Sequence, residues 1–223
     1  MTPAALLPIL PSMNAGCRLS IFGLAILCLV VQSILPGCSR KRDGLDPRAL
    51  PDAPFAVEAT LLGPAQADSV LGLVFRPPAG FQPGDPRRVA QIREMVRAQT
   101  KPGDPLANDP LWIYGVPGTP GMFKVAHFSD PPAGGLNEAW LTRAREALKV
   151  QVAPAALAED HFRVGKKIAV VRFTVRNESM VLVRVLCQVP RHPPAMIDFL
   201  LSGADHARLE RAIESTIGAL APL

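Results

Sequence analysis

The sequence predicts an α+β domain: a largely antiparallel β-sheet flanked by helices. Three observations lead to this fold class. Strand-like segments rich in β-branched residues cluster towards the carboxyl terminus, and segments with helical periodicity occur singly among the strands. The chain also lacks the strict alternation of strand and helix that is typical of a parallel sheet.

The predicted domain begins with two short strands and a helix. The segment 55–61 places an apolar side chain at every second residue, as in a half-buried strand. Val70–Phe75 is a short apolar run, in which Gly72 indicates a bulge. Asp85-Pro86 predicts a helix start, because Asp is a favoured N-cap and Pro is favoured at the first helical position. Lys101-Pro102-Gly103 predicts its end.

The remaining elements follow the same reasoning. Two strands are expected at Leu111–Val116 and Met122–Phe128, followed by a helix over 137–150 with Trp140 on its buried face. The β-branched segments 168–176 and 180–189 flank Asn177-Glu178-Ser179 and predict a hairpin. A last strand, Ala195–Leu201, precedes a helix from about Asp205, whose apolar face is Leu209, Ile213, Ile217 and Leu220.

The first 37 residues have the pattern of a secretory signal peptide. Leu19–Leu35 is apolar apart from Ser20, Gln32 and Ser33, follows Arg18, and leads to small residues. Residues 1–37 contain no Lys, Asp or Glu. Met13 is an alternative start, since the preceding residues carry no charge. The alternative interpretations are an uncleaved membrane anchor, because the apolar run is just long enough to span a bilayer, and a signal peptide that is cut elsewhere.

The junction Leu35-Pro36-Gly37-Cys38 resembles the lipobox of bacterial lipoproteins. The resemblance implies that Cys38 becomes lipid-modified and is the first residue of the mature chain. Pro36 departs from the residue types usual at its position. A diacylated cysteine supplies two chains, which is what stable anchoring requires. In lipoproteins of bacteria with two membranes, Ser after the cysteine, here Ser39, implies the periplasmic face of the outer membrane.

A linker is expected over residues 38–54. It contains Pro47, Pro51 and Pro54 and shows no apolar periodicity, which is typical of a semi-rigid, extended segment. The single domain then occupies 55–223. Arg40-Lys41-Arg42 lies beside the predicted anchor and either contacts anionic lipid headgroups or forms part of a soluble tether.

Charge and cysteine content narrow the function classes. The formal net charge is +5, and together with the predicted export this argues against nucleic-acid binding. Cys17 and Cys28 fall in the leader and Cys38 is the predicted lipid site, so Cys187 remains without an internal disulfide partner. Its alternation with valines predicts a buried, inert thiol.

The order of elements resembles the PsbP-like, Ran-binding Mog-type α/β/α sandwich, which bacterial lipoproteins also carry. Two segments carry the resemblance: Leu73–Phe81, a strand leading to a Pro-containing turn and an aromatic residue, and Ile213–Leu220, the closing helix. The resemblance implies a non-enzymatic domain that binds proteins and assists assembly.

No catalytic, cofactor or metal-binding motif is found. The chain has no G-x-S-x-G, H-E-x-x-H, C-x-x-C, P-loop or G-x-G-x-x-G pattern, and no two of its four histidines have metal-ligand spacing. The Asp-Pro pairs at 85–86, 104–105, 109–110 and 130–131 predict turns and caps rather than calcium ligands. We therefore expect no catalytic residue, no metal ligand and no cofactor.

The predicted hairpin suggests one candidate ligand site. A three-residue loop would place Arg172 opposite Arg184, and like charges in that position are destabilising. Glu210 or Glu214 of the last helix would offset them, or an anionic ligand or acidic partner would. The second alternative makes Arg172, Arg184 and Arg176 a binding patch.

Three function classes follow. The first is a lipid-anchored binding or assembly module of the cell envelope, attached to the membrane at Cys38 and acting on an envelope protein. The second is a carrier or sensor of a small anion, with an apolar pocket rimmed by the arginines. The third is an envelope enzyme, which requires titratable groups that converge in a cleft.

Overall fold

A computed structural model describes residues Gly44–Leu223. Three α-helices and ten strands form this part of the chain. The helices are α1 (Pro86–Gln99), α2 (Glu138–Val152) and α3 (Gly203–Gly218). The strands are β1 (Gln66–Asp68), β2 (Leu73–Phe75), β3 (Gln82–Pro83), β4 (Asn108–Gly115), β5 (Met122–Phe128), β6 (Ala156–Val164), β7 (Ile168–Arg176), β8 (Met180–Gln188), β9 (Ala195–Ser202) and β10 (Ala221–Pro222). Two 3-10 helices, Pro47–Ala49 and Ala59–Leu61, precede β1.

The strands form two antiparallel sheets. The larger has seven strands in the order β3-β4-β5-β9-β8-β7-β6, and the smaller has the order β1-β2-β10. Every paired strand runs antiparallel to its neighbour. The α+β fold class and the largely antiparallel sheet are therefore confirmed.

Helices cover both faces of the seven-stranded sheet. On one face, Ile213 and Ile217 of α3 pack with the small sheet against the valines of β8. On the other, Trp140 and Leu148 of α2 pack against alternate residues of β7, β8 and β9. Because central strands are buried on both sides, their sequences are nearly continuous apolar runs.

The helix starts follow from capping chemistry. The Asp85 carboxylate accepts hydrogen bonds from the backbone N–H groups of Arg87 (2.9 Å) and Arg88 (3.2 Å), as predicted for the Asp85-Pro86 start of α1. Asn137 caps α2 and Ser202 caps α3. The apolar stripe of α1 is only half-buried, and none of its residues is fully buried.

Two predicted strands differ from the structure. The segment 55–58 pairs with no strand, since Phe55 packs edge-on against Phe162 and the Glu58 N–H donates to Ser215 Oγ of α3. The second strand is shortened to β2, because Asp68 accepts from the N–H groups of residues 70 and 71 and folds them into a turn.

The predicted linker is wrong over residues 44–54. The Leu45 N–H donates to the Leu136 carbonyl at 2.6 Å, and the Arg163 guanidinium pairs with the Asp52 carboxylate at 2.7 Å. Residues 51–53 also exchange backbone hydrogen bonds with Arg163 of β6. The folded unit therefore includes the chain from Gly44 instead of starting at Phe55.

Strand β6 was not predicted. Phe162 and Val164 occupy alternate positions, as apolar residues of a strand do. The central residues Glu159, Asp160 and His161 are polar or charged and interrupt this pattern. Strand β6 is an edge strand, where charged side chains are usual because they oppose pairing with other chains. Within residues 44–223, none of the helices has both the length and the hydropathy to cross a membrane.

Candidate binding cleft

An open cleft of about 800 Å³ lies between α1 and α2, which cover the same face of the large sheet. Val96 of α1 and Thr100, which follows its last residue, line one wall, and Ala147 and Val150 of α2 line the other. The loop over residues 101–107 lies between the two walls. The side chain of Val150 is exposed, so this wall presents apolar surface to solvent.

The floor of the cleft is a row of three charged side chains on adjacent strands. Lys124 of β5 is opposite Asp198 of β9, and Asp198 is opposite Arg184 of β8. Lys124 Nζ lies 2.9 Å from Asp198 Oδ2. Arg184 binds the same carboxylate through two hydrogen bonds, Nε to Oδ1 at 2.8 Å and Nη2 to Oδ2 at 2.9 Å. This fork-to-fork geometry gives the strongest type of side-chain ion pair. Lys124 and Arg184 both line the cleft.

The row is buried and carries more positive than negative charge. Lys124 is 6% exposed, Arg184 8% and Asp198 3%. Burial alone would raise the pKa of Asp198, but the charges of Arg184 and Lys124 and their hydrogen bonds outweigh it and hold that pKa well below its usual range. The Asp198 carboxylate therefore stays ionised near neutral pH, and it is shared by one lysine and one arginine side chain.

Neither cation uses all its donors on the described residues. Besides Asp198, Lys124 Nζ donates to Asn108 Oδ1 at 2.9 Å, which leaves one of its three N–H groups. Arg184 bonds Asp198 through Nε and Nη2 and retains Nη1. These donors belong to side chains that line the cleft, so an acidic group entering it can accept from them.

Two carboxylates also line the cleft, and both are engaged. Asp104 accepts from the Leu106 N–H at 2.8 Å and from the Gln151 side chain at 3.3 Å. Glu146 pairs with Lys149 at 2.9 Å. The charge of Asp104 also acts on Arg184, so this carboxylate lies in the cleft beside the free donors of Lys124 and Arg184.

The predicted arrangement of the hairpin arginines is wrong. Phe173 is opposite Arg184, and Arg172 is opposite Val185. The register differs by one residue from the prediction because the loop has four residues: Asn177 N–H donates to the Met180 carbonyl, and the Asn177 side chain accepts from residues 179 and 180. Arg172 and Arg184 therefore lie on opposite faces, and no patch contains both.

Arg172 lies on the α3 face among groups that neutralise its charge. It donates to Asp160 at 2.9 Å, lies 3.9 Å from Glu214 of α3, and its guanidinium carbon is 5.7 Å from the ring centres of Phe55 and Phe162. Glu214 is one of the two residues expected to offset Arg172. Arg176 is exposed at the end of β7. Burial and, after it, the charge of Arg176 lower the pKa of His206.

The cysteine prediction is confirmed. Cys187 is buried in the core with the valines of β8. Burial raises the pKa of its thiol to about 12. Among residues 44–223, no group of three His, Cys, Asp or Glu side chains is placed to hold a metal ion. Cys38 and Arg40-Lys41-Arg42 lie outside the described residues.

Sequence reasoning missed Lys124 and Asp198. Each interrupts an otherwise apolar strand at its middle, as Arg184 does in β8. A single charge in a buried strand needs a partner on the neighbouring strand, since an unpaired buried charge is costly. Comparing the middles of β5, β8 and β9 would have identified the row, provided the strand order was known.

A second open groove, of about 670 Å³, lies between the start of α1 and the β4–β5 turn. Its lining is mostly apolar, with Val89, Ile92 and Ile113, and its acidic residue Asp85 is engaged in capping α1. It contains no buried ion cluster, so it is the weaker candidate site.

No family model matches the chain. No curated protein matches it either. Among solved structures, the chain is similar to the solution structure of cyanobacterial PsbP (CyanoP) from Synechocystis sp. PCC 6803, with 12% sequence identity and a TM-score of 0.47. The similarity covers 76% of this chain and 96% of that one. A similarity at this level does not transfer a function.

Proposed function

We propose that this protein is a lipid-anchored lipoprotein of the bacterial cell envelope whose folded domain binds a partner and does not catalyse a reaction. The proposed anchor is a lipid-modified Cys38, exposed by cleavage after Gly37. The apolar run, the small residues and the cysteine of the leader support it. Arg40-Lys41-Arg42 would then lie beside the anchor, on anionic headgroups. In a host with two membranes, Ser39 supports the periplasmic face of the outer membrane.

The cleft between α1 and α2 is the proposed binding site. The observation that carries the proposal is the row Lys124–Asp198–Arg184, in which two buried cations share one carboxylate beneath an open cleft. Spare donors of these cations suit a carboxylate or phosphate, and the exposed apolar wall at Val150 suits an adjoining apolar group. The ligand we propose is therefore an acidic segment of an envelope protein.

The protonation states of Asp198 and Cys187, which do not change near neutral pH, support binding over catalysis. A general acid or base needs a pKa near the working pH. The pKa of Asp198 is far below that range, and the buried Cys187 thiol has a pKa of about 12. At neutral pH the Asp198 carboxylate therefore holds a fixed charge and the Cys187 thiol stays neutral, which suits recognition better than proton transfer.

The proposal is tested by site-specific photo-crosslinking in living cells. A photoreactive residue replaces Val150 on the cleft wall, and a matched probe replaces Val57, an exposed valine beside α3 on the other side of the sheet. We expect a discrete protein adduct at position 150 and none at 57. Lys101→Glu, an exposed change at the cleft, should weaken the adduct. Equal adducts at both positions, or no effect of Lys101→Glu, would contradict the cleft as the site.

A carrier of a small anion is the second candidate, and the size of the cleft favours it. About 800 Å³ lies within the range of small-molecule sites. Citrate and inorganic phosphate serve as probes in thermal unfolding. A rise in melting temperature that saturates with concentration, without a protein adduct at position 150, would favour the carrier.

A further inference from the structure

The described chain begins at one end of the large sheet. The Leu45 N–H donates to the Leu136 carbonyl, and the Leu136 N–H donates to the Gln188 side chain at 2.8 Å. Gln188 is the last residue of β8 and is opposite Ala169 of β7. We call this end of the sheet, where β8 ends and β7 begins, the entry end. Any tether that precedes Gly44 therefore joins the domain here.

Two exposed turns at the entry end are basic. The β6–β7 turn contains Lys166 and Lys167, and the β8–β9 turn contains Arg191. Because β7 and β8 are adjacent, with Ala169 opposite Gln188, these turns are neighbours. All three side chains are exposed, and no salt bridge is formed by them among residues 44–223.

The other charges at this end leave a positive balance. Asp52 is neutralised by Arg163. Exposed charges at the entry end include basic Arg48, Lys166, Lys167 and Arg191 and acidic Asp46 and Asp130. Half-buried Asp68 is also near, since it caps the turn whose Val70 carbonyl lies 3.4 Å from His192 Nδ1 of the β8–β9 turn. The acidic Asp46 accepts a hydrogen bond from the Arg48 backbone N–H, so it is partly engaged. The tether sequence before Gly44 contains one acidic residue, Asp43, and three basic residues, Arg40, Lys41 and Arg42.

The tether is short. Cys38 lies six residues before Gly44, so full extension allows at most about 20 Å between them. The expected linker to residue 54 would have allowed much more, but residues 44–54 are held on the domain. A lipid on Cys38 would thus keep the entry end within reach of the headgroups, and the charge there complements an anionic surface.

We propose that the basic turns of the entry end, with Lys166, Lys167 and Arg191, contact anionic phospholipid headgroups of the leaflet that holds the anchor. The contact fixes the orientation of the domain, so that the β7–β8 hairpin turn at Asn177–Ser179 is directed away from the membrane. The inference rests on the proposed anchor at Cys38.

The test uses the full chain in cells and two uncharged, exposed probe positions. A photoreactive residue replaces Pro190, beside Arg191, or Ser179, in the opposite turn. Mass spectrometry measures phospholipid adducts, and metabolic labelling with palmitate, with Cys38→Ser as control, measures the anchor. We expect adducts at position 190 and not at 179.

Charge reversal provides the second arm. Lys166→Glu/Lys167→Glu/Arg191→Glu should reduce the adducts at position 190 by roughly fivefold or more. The matched control Arg87→Glu/Arg88→Glu/Arg143→Glu changes the charge of three exposed arginines of α1 and α2 by the same amount. It should leave the yield of phospholipid adducts at position 190 unchanged. If palmitate labels the protein but phospholipid adducts are equal at positions 190 and 179, the proposed orientation is wrong and the anchor is still supported. The same conclusion follows if palmitate labels the protein but the triple charge reversal leaves the adducts at position 190 unchanged. Absence of label overturns the anchor and the inference together.

Discussion

Asp198→Asn tests the buried row most severely. The substitution preserves the size of the side chain but removes the counter-charge that buried Lys124 and Arg184 share, leaving only the charge of Asp104 near Arg184. Removing one member of a buried ion pair costs about 3–5 kcal/mol, because the remaining charge stays desolvated. For a domain of this size, that corresponds to a fall in melting temperature of roughly 6–20 °C.

The assay is equilibrium unfolding in denaturant, followed by circular dichroism, with thermal unfolding as a second measure. Asp130→Asn is the control, since Asp130 is exposed and the same chemical change there should alter stability by less than about 0.5 kcal/mol. Replacing the whole row by Lys124→Met/Asp198→Leu/Arg184→Met should recover most of the lost stability, because well-packed apolar groups commonly match a buried ion pair. A loss below about 1 kcal/mol in Asp198→Asn would refute the reasoning.

Three further predictions follow from the same contacts. The folded-state pKa of Asp198 lies below its ordinary value of 3.8, so its contribution to the free energy of unfolding is full above about pH 4 and is lost as the pH falls through the folded pKa. In the triple apolar variant, which lacks this carboxylate, the free energy of unfolding should therefore fall less steeply with decreasing pH. The Cys187 thiol should react with a thiol reagent at pH 8 only after denaturation, and rapid labelling of the native protein would contradict its burial. Arg172→Ser should cost roughly 1–2 kcal/mol in chemical denaturation through lost ring and carboxylate contacts, whereas Arg176→Ser, at an exposed strand end, should cost less than about 0.5.

The strands and helices with strong local signals could be predicted from the sequence. Asp85-Pro86 defines the start of α1 by capping and proline geometry, which depend on neighbouring residues only. The β-branched composition of β7 and β8 predicts strands, again from local sequence alone. Alternation also predicted the apolar face that buries Cys187.

The register of the hairpin could not be predicted by the same means. A slip of one residue normally moves the apolar side chains to the solvent face, which specifies the register. In β7 and β8 both faces are buried and apolar, so Phe173 fits opposite residue 183 or 184 equally well by pattern. The side chain of Asn177, which closes a four-residue loop, decides between the two registers.

The candidate site depended on the strand order, which the sequence did not reveal. Lys124 and Asp198 are separated by more than seventy residues and meet because β9 inserts between β5 and β8. The edge strand β6 was missed for a related reason. Charged residues at the middle of a strand are typical of an edge strand, and the sequence alone did not show that β6 lies at the edge of the sheet.

The measurement that tests the central claim most directly is the ratio of protein adducts formed in cells by a photoreactive residue at position 150 and at position 57. An acidic partner held in the cleft between α1 and α2 predicts a discrete adduct at 150, none at 57, and a weaker adduct at 150 in Lys101→Glu protein. Adducts of equal yield at the two positions, unchanged by Lys101→Glu, would contradict the cleft as the binding site.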